Sequence, residues 1–542
     1  MLGPDNRRFT YSELVSDTLL HVEAQPESKL KTGGFKVMGK SIPRVDIPAR
    51  VTGGEIYVQD LRPEGMVHAR VVRPPSYGAT LSKVDTAEVE SMPGVVKVVR
   101  DGSFLAVVAE REFQAIKAMR ALADAAEWQE KPSLPDETKL PAAVTALAAQ
   151  TETIHNKGGA VTDAKTTLEA TFTKPYIMHG SIGPSCAVAR ADPGGMTIWS
   201  HTQGVYPDRA AIAEMLGMPP EQVHLIHVSG SGCYGHNGAD DAAADAALIA
   251  RAVPGRPVRV QWMREQENAW EPYGPAMVSK AKASLDGDGR IVDWEYSLWS
   301  NTHSTRPGKA GSLIAARHLA KPFTQPAPRK IPLPSGGGSR NSVPLYTIPN
   351  ARVVENFLPE MPVRVSALRA LGAHMNVFAV ESFMDELADA AGADPVEFRL
   401  KHLEDPRARD VIAKAAERIG WPSGGKAEPG RGYGFGFARY KNFAAYCAVA
   451  VEVEVTPATG RARVVRAAAA VDSGQIVSPD GLTNQTEGAI LQSASWTLYE
   501  RVSFDDTRIT SIDWATYPIL RFNAVPAGSR SEERRVGKEC RS

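Results

Sequence analysis

Residues Val223–Gly238 read VHLIHVSGSGCYGHNG and give the first clue to this chain. A β-branched, apolar run (Val223, Leu225, Ile226, Val228) breaks off into small residues, and an Ala-rich run, Ala239–Ala252, follows. The pattern predicts strand, tight glycine loop and helix N-terminus. Such a loop presents backbone N–H groups beside the positive end of a helix dipole and so suits an anion such as a phosphate. Gly230, Gly232 and Gly235 satisfy G-x-G-x-x-G, with Cys233 and Tyr234 between the last two glycines. A dinucleotide fold needs an acidic residue about 20 positions on to hold a ribose hydroxyl. The nearest candidate beyond the next strand-like run, Glu265, is too far along. No G-x-x-x-x-G-K-[ST] occurs, which excludes an ordinary nucleotide-triphosphate loop. Taken alone, the segment is also explained by a structural turn before a buried helix.

Other segments change that balance. Upstream lies Trp199-Ser200-His201-Thr202-Gln203, a strand end followed by a helical run through Leu216. Downstream come Ser366–Ala388 (SALRALGAHMNVFAVESFMDELA), Asp472-Ser-Gly-Gln475 and Asn484-Gln-Thr-Glu-Gly-Ala489. This ordered set, running from about Val37 to about Pro526, resembles the molybdopterin-binding large subunit of the xanthine dehydrogenase/aldehyde oxidase family. Within that family the likeness is to the isoquinoline oxidoreductase and nicotinate dehydrogenase branch.

Composition agrees with a soluble enzyme. At 542 residues the chain can hold several cores, and 62 basic against 62 acidic residues point to neither nucleic acid nor a membrane surface. No run is long and apolar enough to span a bilayer, and no signal peptide opens the sequence. The four cysteines, Cys186, Cys233, Cys447 and Cys540, are widely spaced. That spacing argues against disulfides, a zinc site or a cysteine-ligated iron–sulfur cluster within this chain.

The expected fold class is α+β: a small hammerhead-type α+β domain followed by two α+β molybdopterin-binding halves. Residues 1–34 read as a remnant of an upstream region. Residues 35–130 read as the hammerhead-like unit, and 131–165, rich in Pro, Thr, Ala and Lys, as a linker. The first half is expected over 166–340, ending in a Pro/Gly-rich mobile or wrapping loop from Pro322 to Arg340. The second half is expected over 341–529. There, apolar residues at 377, 380, 384 and 387 predict a helix, Asp394-Pro395 starts the next, and Pro457-Ala-Thr-Gly460 turns a hairpin.

The resemblance implies roles for individual residues. Gln203 matches the glutamine that hydrogen-bonds the metal's apical oxo ligand; by itself it reads as a polar residue at a strand edge. Arg369 matches the arginine that stabilises substrate charge, with a salt bridge to Glu381 as the structural alternative. These two are the candidate catalytic residues. Gly230, Gly232, Cys233, Tyr234 and Gly235 match the family's glycine segment, and Gln485 a pterin-binding glutamine at a helix start. Cys233 is expected to be a small buried filler, since the family's metal takes its sulfurs from the pterin, and no residue is assigned as a metal ligand. His236 reads as a surface histidine or a phosphate ligand, and Asp472-Ser-Gly474 as an architectural turn. Tyr440 and Tyr446, in a segment resembling the branch's cofactor-side loop, fit core positions. Gly372-Ala-His-Met-Asn376 departs from the family's run after the arginine. Gly238 stands where some relatives have an acid, which implies a substrate other than xanthine.

The implied cofactor is molybdenum–molybdopterin, with a cytosine dinucleotide as one form of it. Iron–sulfur clusters are expected only in a partner, a small [2Fe–2S] subunit, with cytochrome c as one acceptor and a small-molecule substrate. The implied reaction is hydroxylation of an N-heterocycle or aldehyde with oxygen from water. A nicotinamide-dependent dehydrogenase using Gly230–Gly235 and a non-catalytic cofactor-binding scaffold remain the alternatives. The family's G-Q-G and G-x-G-E motifs, the latter supplying a general base, have no match here, so the chain is expected to be truncated at both ends and silent by itself. Arg530–Ser542 resembles a translated sequencing adapter. The compartment is left open: cytoplasm by default in a bacterium, periplasm if an export signal precedes residue 1.

Overall fold

In the computed structural model, residues 7–15, 21, 23, 31–159, 161, 163–422 and 427–526 are described. The readings of Arg530–Ser542 and of most of residues 1–34 lie outside them.

The fold is mixed, with helices packed on several sheets. The largest sheet has seven strands in the order Val223–His227, Gly195–Ser200, Cys186–Asp192, Val258–Gln261, Val67–Val72, Phe104–Ala109 and Val95–Asp101. The sheet therefore joins strands from the expected 35–130 unit to strands of the first half. Val67–Val72 runs parallel to Val258–Gln261, so the early unit does not close its own sheet. Both faces of Phe104–Ala109 are buried, and an apolar strand of this kind needs neighbours on each side.

A second sheet orders Gln150–Lys157, Asn350–Leu358, Ile291–Asn301, Met277–Leu285 and Thr166–Lys174. Its first strand corrects the linker reading of 131–165. That segment contains helix Leu140–Ala146, whose Leu140 and Val144 are buried, and strand Gln150–Lys157, which pairs antiparallel with Asn350–Leu358. Composition misled because this is an edge strand, mostly exposed, and reads as polar. A third sheet, Arg431–Arg439, Tyr446–Thr456 and Arg461–Asp472, includes the expected hairpin. Helix Pro406–Ile419 covers it with a stripe of Ala408, Val411, Ile412, Ala415 and Ile419, capped by the Asp405 carboxylate and by Gly420 in the left-handed region.

The expected helices are present at Glu112–Asp124, Val205–Leu216, Ala239–Ala252 and Ala373–Ala390, and the Asp394 side chain caps Pro395–Lys401. From Lys321 to Pro349 the chain has no helix or strand. Its Gly336–Ser342 part is buried, and Asn376 Nδ2 donates to the carbonyls of Gly338 (2.7 Å) and Arg340 (2.9 Å).

Candidate functional site

The glycine loop follows strand Val223–His227 and leads into helix Ala239–Ala252, as its sequence predicts. The helix is buried from Ala239 to Ala250, which explains its alanines: small side chains let it lie close to the sheet. Its three acids then need partners. Asp241 meets Arg364 at 2.8 Å, Asp245 pairs with Arg73 and accepts from the Trp262 indole, and Asp240 lies 3.0 Å from His236 Nε2. On the neighbouring helix, Asp208 is wholly buried; burial, with Asp240 and Asp241 nearby, holds its carboxyl well above the usual range.

Close approach explains two of the loop's glycines. A Cβ on Gly235, whose φ is 141°, would lie 2.0 Å from the Ala367 carbonyl oxygen, and one on Gly230 would lie 2.4 Å from His201 Nδ1. The contact at Gly235 is a short antiparallel pairing with Leu368: the His236 amide donates to Ala367 O (2.8 Å) and the Arg369 amide to Tyr234 O (2.7 Å). The loop is thereby joined to the segment that carries Arg369. Among the described residues, no amide from Gly230 to Gly235 donates to a protein acceptor.

Three side chains brace this junction. The Thr305 amide donates to Ser366 Oγ (3.0 Å), and the same hydroxyl is hydrogen-bonded to His236 Nδ1 (2.8 Å). Burial pushes His236 toward its neutral form against the pull of Asp240. His236 is therefore a buried element of the scaffold, which corrects the surface and phosphate-ligand readings; its ring nitrogens are occupied inside the protein. On the other side, His179 Nε2 meets the Ala367 carbonyl at 3.0 Å, and His179 Nδ1 lies 3.2 Å from buried Glu271. A carbonyl only accepts, so Nε2 carries a proton.

Arg369 is half-buried. Its guanidinium donates to Gln492 Oε1 (3.1 Å), Gln485 O (3.2 Å) and Gln485 Oε1 (3.1 Å), all on helix Pro479–Leu498. It does not pair with Glu381, the structural alternative; Glu381 serves Arg399 instead. Ala370 and Leu371, directly after Arg369, both have positive φ (72° and 56°). Non-glycine residues hold this conformation only where the surroundings impose it. Gly372, whose amide bonds Gly337 O at 3.1 Å, ties the turn to the buried Gly336–Ser342 segment.

Gln203 is exposed after strand Gly195–Ser200, and its Oε1 accepts from Arg306 Nη2 at 2.6 Å. Arg306 also acts electrostatically on Cys233 and His236. Direct bonds thus unite Tyr234, Arg369 and Gln485, while Gln203 joins them through Arg306 and the Thr305–Ser366 contact. Cys233 is half-buried rather than buried, its thiol pushed up by burial, and Tyr234 is exposed. Tyr440 is exposed as well, not core, and accepts from Arg340; Tyr446 is buried and bonds Asp405 at 2.7 Å. Asp472 is architectural, holding Arg407 through two bonds of 2.6 Å.

Residues not anticipated also line this region. A cleft beside Arg369 is walled by Lys174, His303, His374, Leu368 and Trp496. Lys174 Nζ donates to Pro275 O at 2.7 Å, and burial pushes its ammonium down to about 7. Arg306 and His303 stand in a polar run, Asn301–Arg306, at the end of a buried strand, and that placement was their one signal in the sequence.

The donor set fits an anionic cofactor: amides from Gly230 to Gly235 without a protein acceptor and the Gln203 amide, with the acids of the adjoining helix held by Arg73, Arg364 and His236. Comparison with known proteins agrees. A molybdopterin cofactor-binding domain model matches residues 144–329 and 332–403, and a second molybdopterin cofactor-binding domain model matches 377–526. A nicotinate dehydrogenase subunit of Pseudomonas putida is 37% identical over 555 residues, covering 97% of this chain and 45% of that protein. The beta subunit of isoquinoline 1-oxidoreductase of Brevundimonas diminuta is 28% identical over 515 residues, covering 91% and 62%. The chain thus spans only about half the length of these relatives. The fold is that of quinoline 2-oxidoreductase from Pseudomonas putida 86, with a TM-score of 0.73 at 15% identity over 90% of each chain. This chain therefore belongs to the molybdopterin-binding large subunits of the xanthine dehydrogenase/aldehyde oxidase family.

Proposed function

We propose that this chain is the molybdenum-cofactor-binding part of a hydroxylase that oxidises an N-heterocycle or an aldehyde. The observation that carries the reading is the pairing of Gly235 with Leu368, which sets the amide-rich loop beside Arg369. The bound cofactor supplies the redox chemistry: a substrate C–H becomes C–OH with oxygen from water, releasing two protons and two electrons. The chain's own residues bind and orient. Amides of Gly230, Gly232, Cys233, Tyr234 and Gly235, together with Gln485, would hold the anionic cofactor. Gln203 offers an amide N–H to the metal's ligand sphere. Arg369, whose described partners are amide groups, holds negative charge that develops on substrate.

The cofactor in this reading is molybdenum–molybdopterin, with a cytosine dinucleotide as one form of it. Electrons leave through a small [2Fe–2S] subunit, and from there to an acceptor such as cytochrome c. Residues 35–130 serve as the hammerhead-like unit beside two cofactor-binding halves. Among the described residues no helix is long and apolar enough to cross a membrane.

Metal analysis of the native protein tests the proposal. About one molybdenum per chain is expected, together with hydroxylation of a pyridine- or quinoline-type substrate that incorporates oxygen from labelled water. Tight binding of a nicotinamide dinucleotide without molybdenum would overturn it.

A further inference from the structure

We infer that Arg306 is the positioning residue for Gln203: it fixes which end of the Gln203 amide faces the cofactor. The inference rests on the function proposed above and deepens it.

An amide has an acceptor end and a donor end of nearly equal size, and a free glutamine samples both orientations. A guanidinium has donors and no acceptor. Arg306 Nη2 lies 2.6 Å from the Gln203 side chain, so only the oxygen can face it. The Nε2 end, with its two protons, is turned away from Arg306 and left free to donate. A lone exposed glutamine cannot hold that orientation, because its side chain gains rotamer entropy by letting go.

Arg306 itself is held. Its neighbour Thr305 bonds Ser366 through the amide (3.0 Å) and Val365 O through the hydroxyl (2.8 Å), and Pro307 on the other side is buried. The backbone around Gln203 is equally fixed. His227 Nδ1 meets Thr202 O at 3.0 Å, the Gly204 amide bonds Thr202 Oγ1 at 3.0 Å, and His201 packs on Gly230. Two anchored backbones thus meet through one side-chain contact. Arg306 has no carboxylate partner among the described ion pairs, since nearby Asp240 is engaged by His236. The same contact couples Gln203 to Ser366, three residues before Arg369, so the two candidate catalytic residues share one frame.

The test uses the molybdenum-loaded native protein. Arg306→Ala should keep its molybdenum content, lower kcat about tenfold with KM unchanged, and alter the electron paramagnetic resonance signal of the half-reduced metal. Arg306→Lys, also a donor without an acceptor, should restore most of both. Gln203→Glu should keep the Arg306 contact and still lose the rate, because it no longer donates. Wild-type kcat and signal in Arg306→Ala, no rescue by Arg306→Lys, or loss of the metal itself would each overturn the positioning role. A wild-type protein that takes up no molybdenum would instead overturn the function proposed above. The inference is then judged on cofactor-free crystals, where a Gln203 turned away from Arg306 defeats it.

Discussion

Two arginines, 30 positions apart in sequence, sit in opposite environments. Arg399 is wholly buried. Its guanidinium bonds Glu381 Oε2 at 2.9 Å, Asp385 Oδ1 at 2.6 Å, and the carbonyls of Pro395, Glu381 and Phe435. Glu381 is saturated in turn by the Tyr346 hydroxyl and the Phe437 amide. Arg369 is half-buried, and its described partners are side-chain and backbone amides of Gln485 and Gln492. A buried charge whose donors are all met by carboxylates and carbonyls is finished architecture. A cation held only by neutral acceptors keeps its charge available for an anion. Arg399 therefore welds a helix pair to a sheet, while Arg369 is presented.

Stability should separate the two most sharply. Arg399→Met leaves Glu381 buried without its partner and should cost about 3–5 kcal/mol, read as a large fall in thermal midpoint or loss of soluble protein. A midpoint within a degree of wild type would mean the matched network is dispensable.

Arg369→Met should do the reverse. Its midpoint should stay near that of wild type while kcat/KM falls about a hundredfold in the native enzyme, the usual scale for losing one preorganised electrostatic contact. An equal loss of stability from both substitutions would erase the distinction.

The junction that presents Arg369 is the next target. Gly235→Ala puts a methyl group 2.0 Å from the Ala367 carbonyl at a φ of 141°. The backbone must part, at a cost of about 1–3 kcal/mol, and activity should drop with it because Arg369 moves. Gly217, at a helix end with nothing within 4 Å of an added Cβ, makes a control in which only the φ of 66° is strained.

The smallest effect concerns pH at the far side of helix Pro479–Leu498. Glu500 is buried, and burial pushes its carboxyl up to about 7 against the hydrogen bonds from Ser495 and Tyr517. A folded value above the unfolded one means that the folded state binds the extra proton. Stability from this group is complete below about 4.5 and is lost as pH rises through about 7. Glu500→Gln mimics the protonated form and should remove that part of the decline, a difference on the order of a degree or two in thermal midpoint at pH 8. Identical pH profiles for the two proteins would refute the assignment.

Much of the molecule was legible in the chain because local physics specified it. The glycine loop ended where the β-branched run stopped and the alanines began. The Asp394-Pro395 cap, the Pro457–Gly460 hairpin and the 3.6-residue period after Asn376 named their own elements. The ordered motifs around Gln203, Arg369 and Gln485 pointed to the cofactor family before any contact was known. Tertiary structure decided what distance in sequence conceals. The strand at Gln150–Lys157 looked like a linker, because an exposed edge strand carries no apolar signature and is defined by its partner 200 residues on. His236 looked like a surface residue, because nothing nearby in sequence announces Ser366. Glu381 could have served either arginine; the fold gave it to Arg399. Arg306 stood in no motif at all. It acquires a role only because strand Ile291–Asn301 ends opposite the loop that carries Gln203, and a long-range contact of that kind is a property of packing, not of the residue.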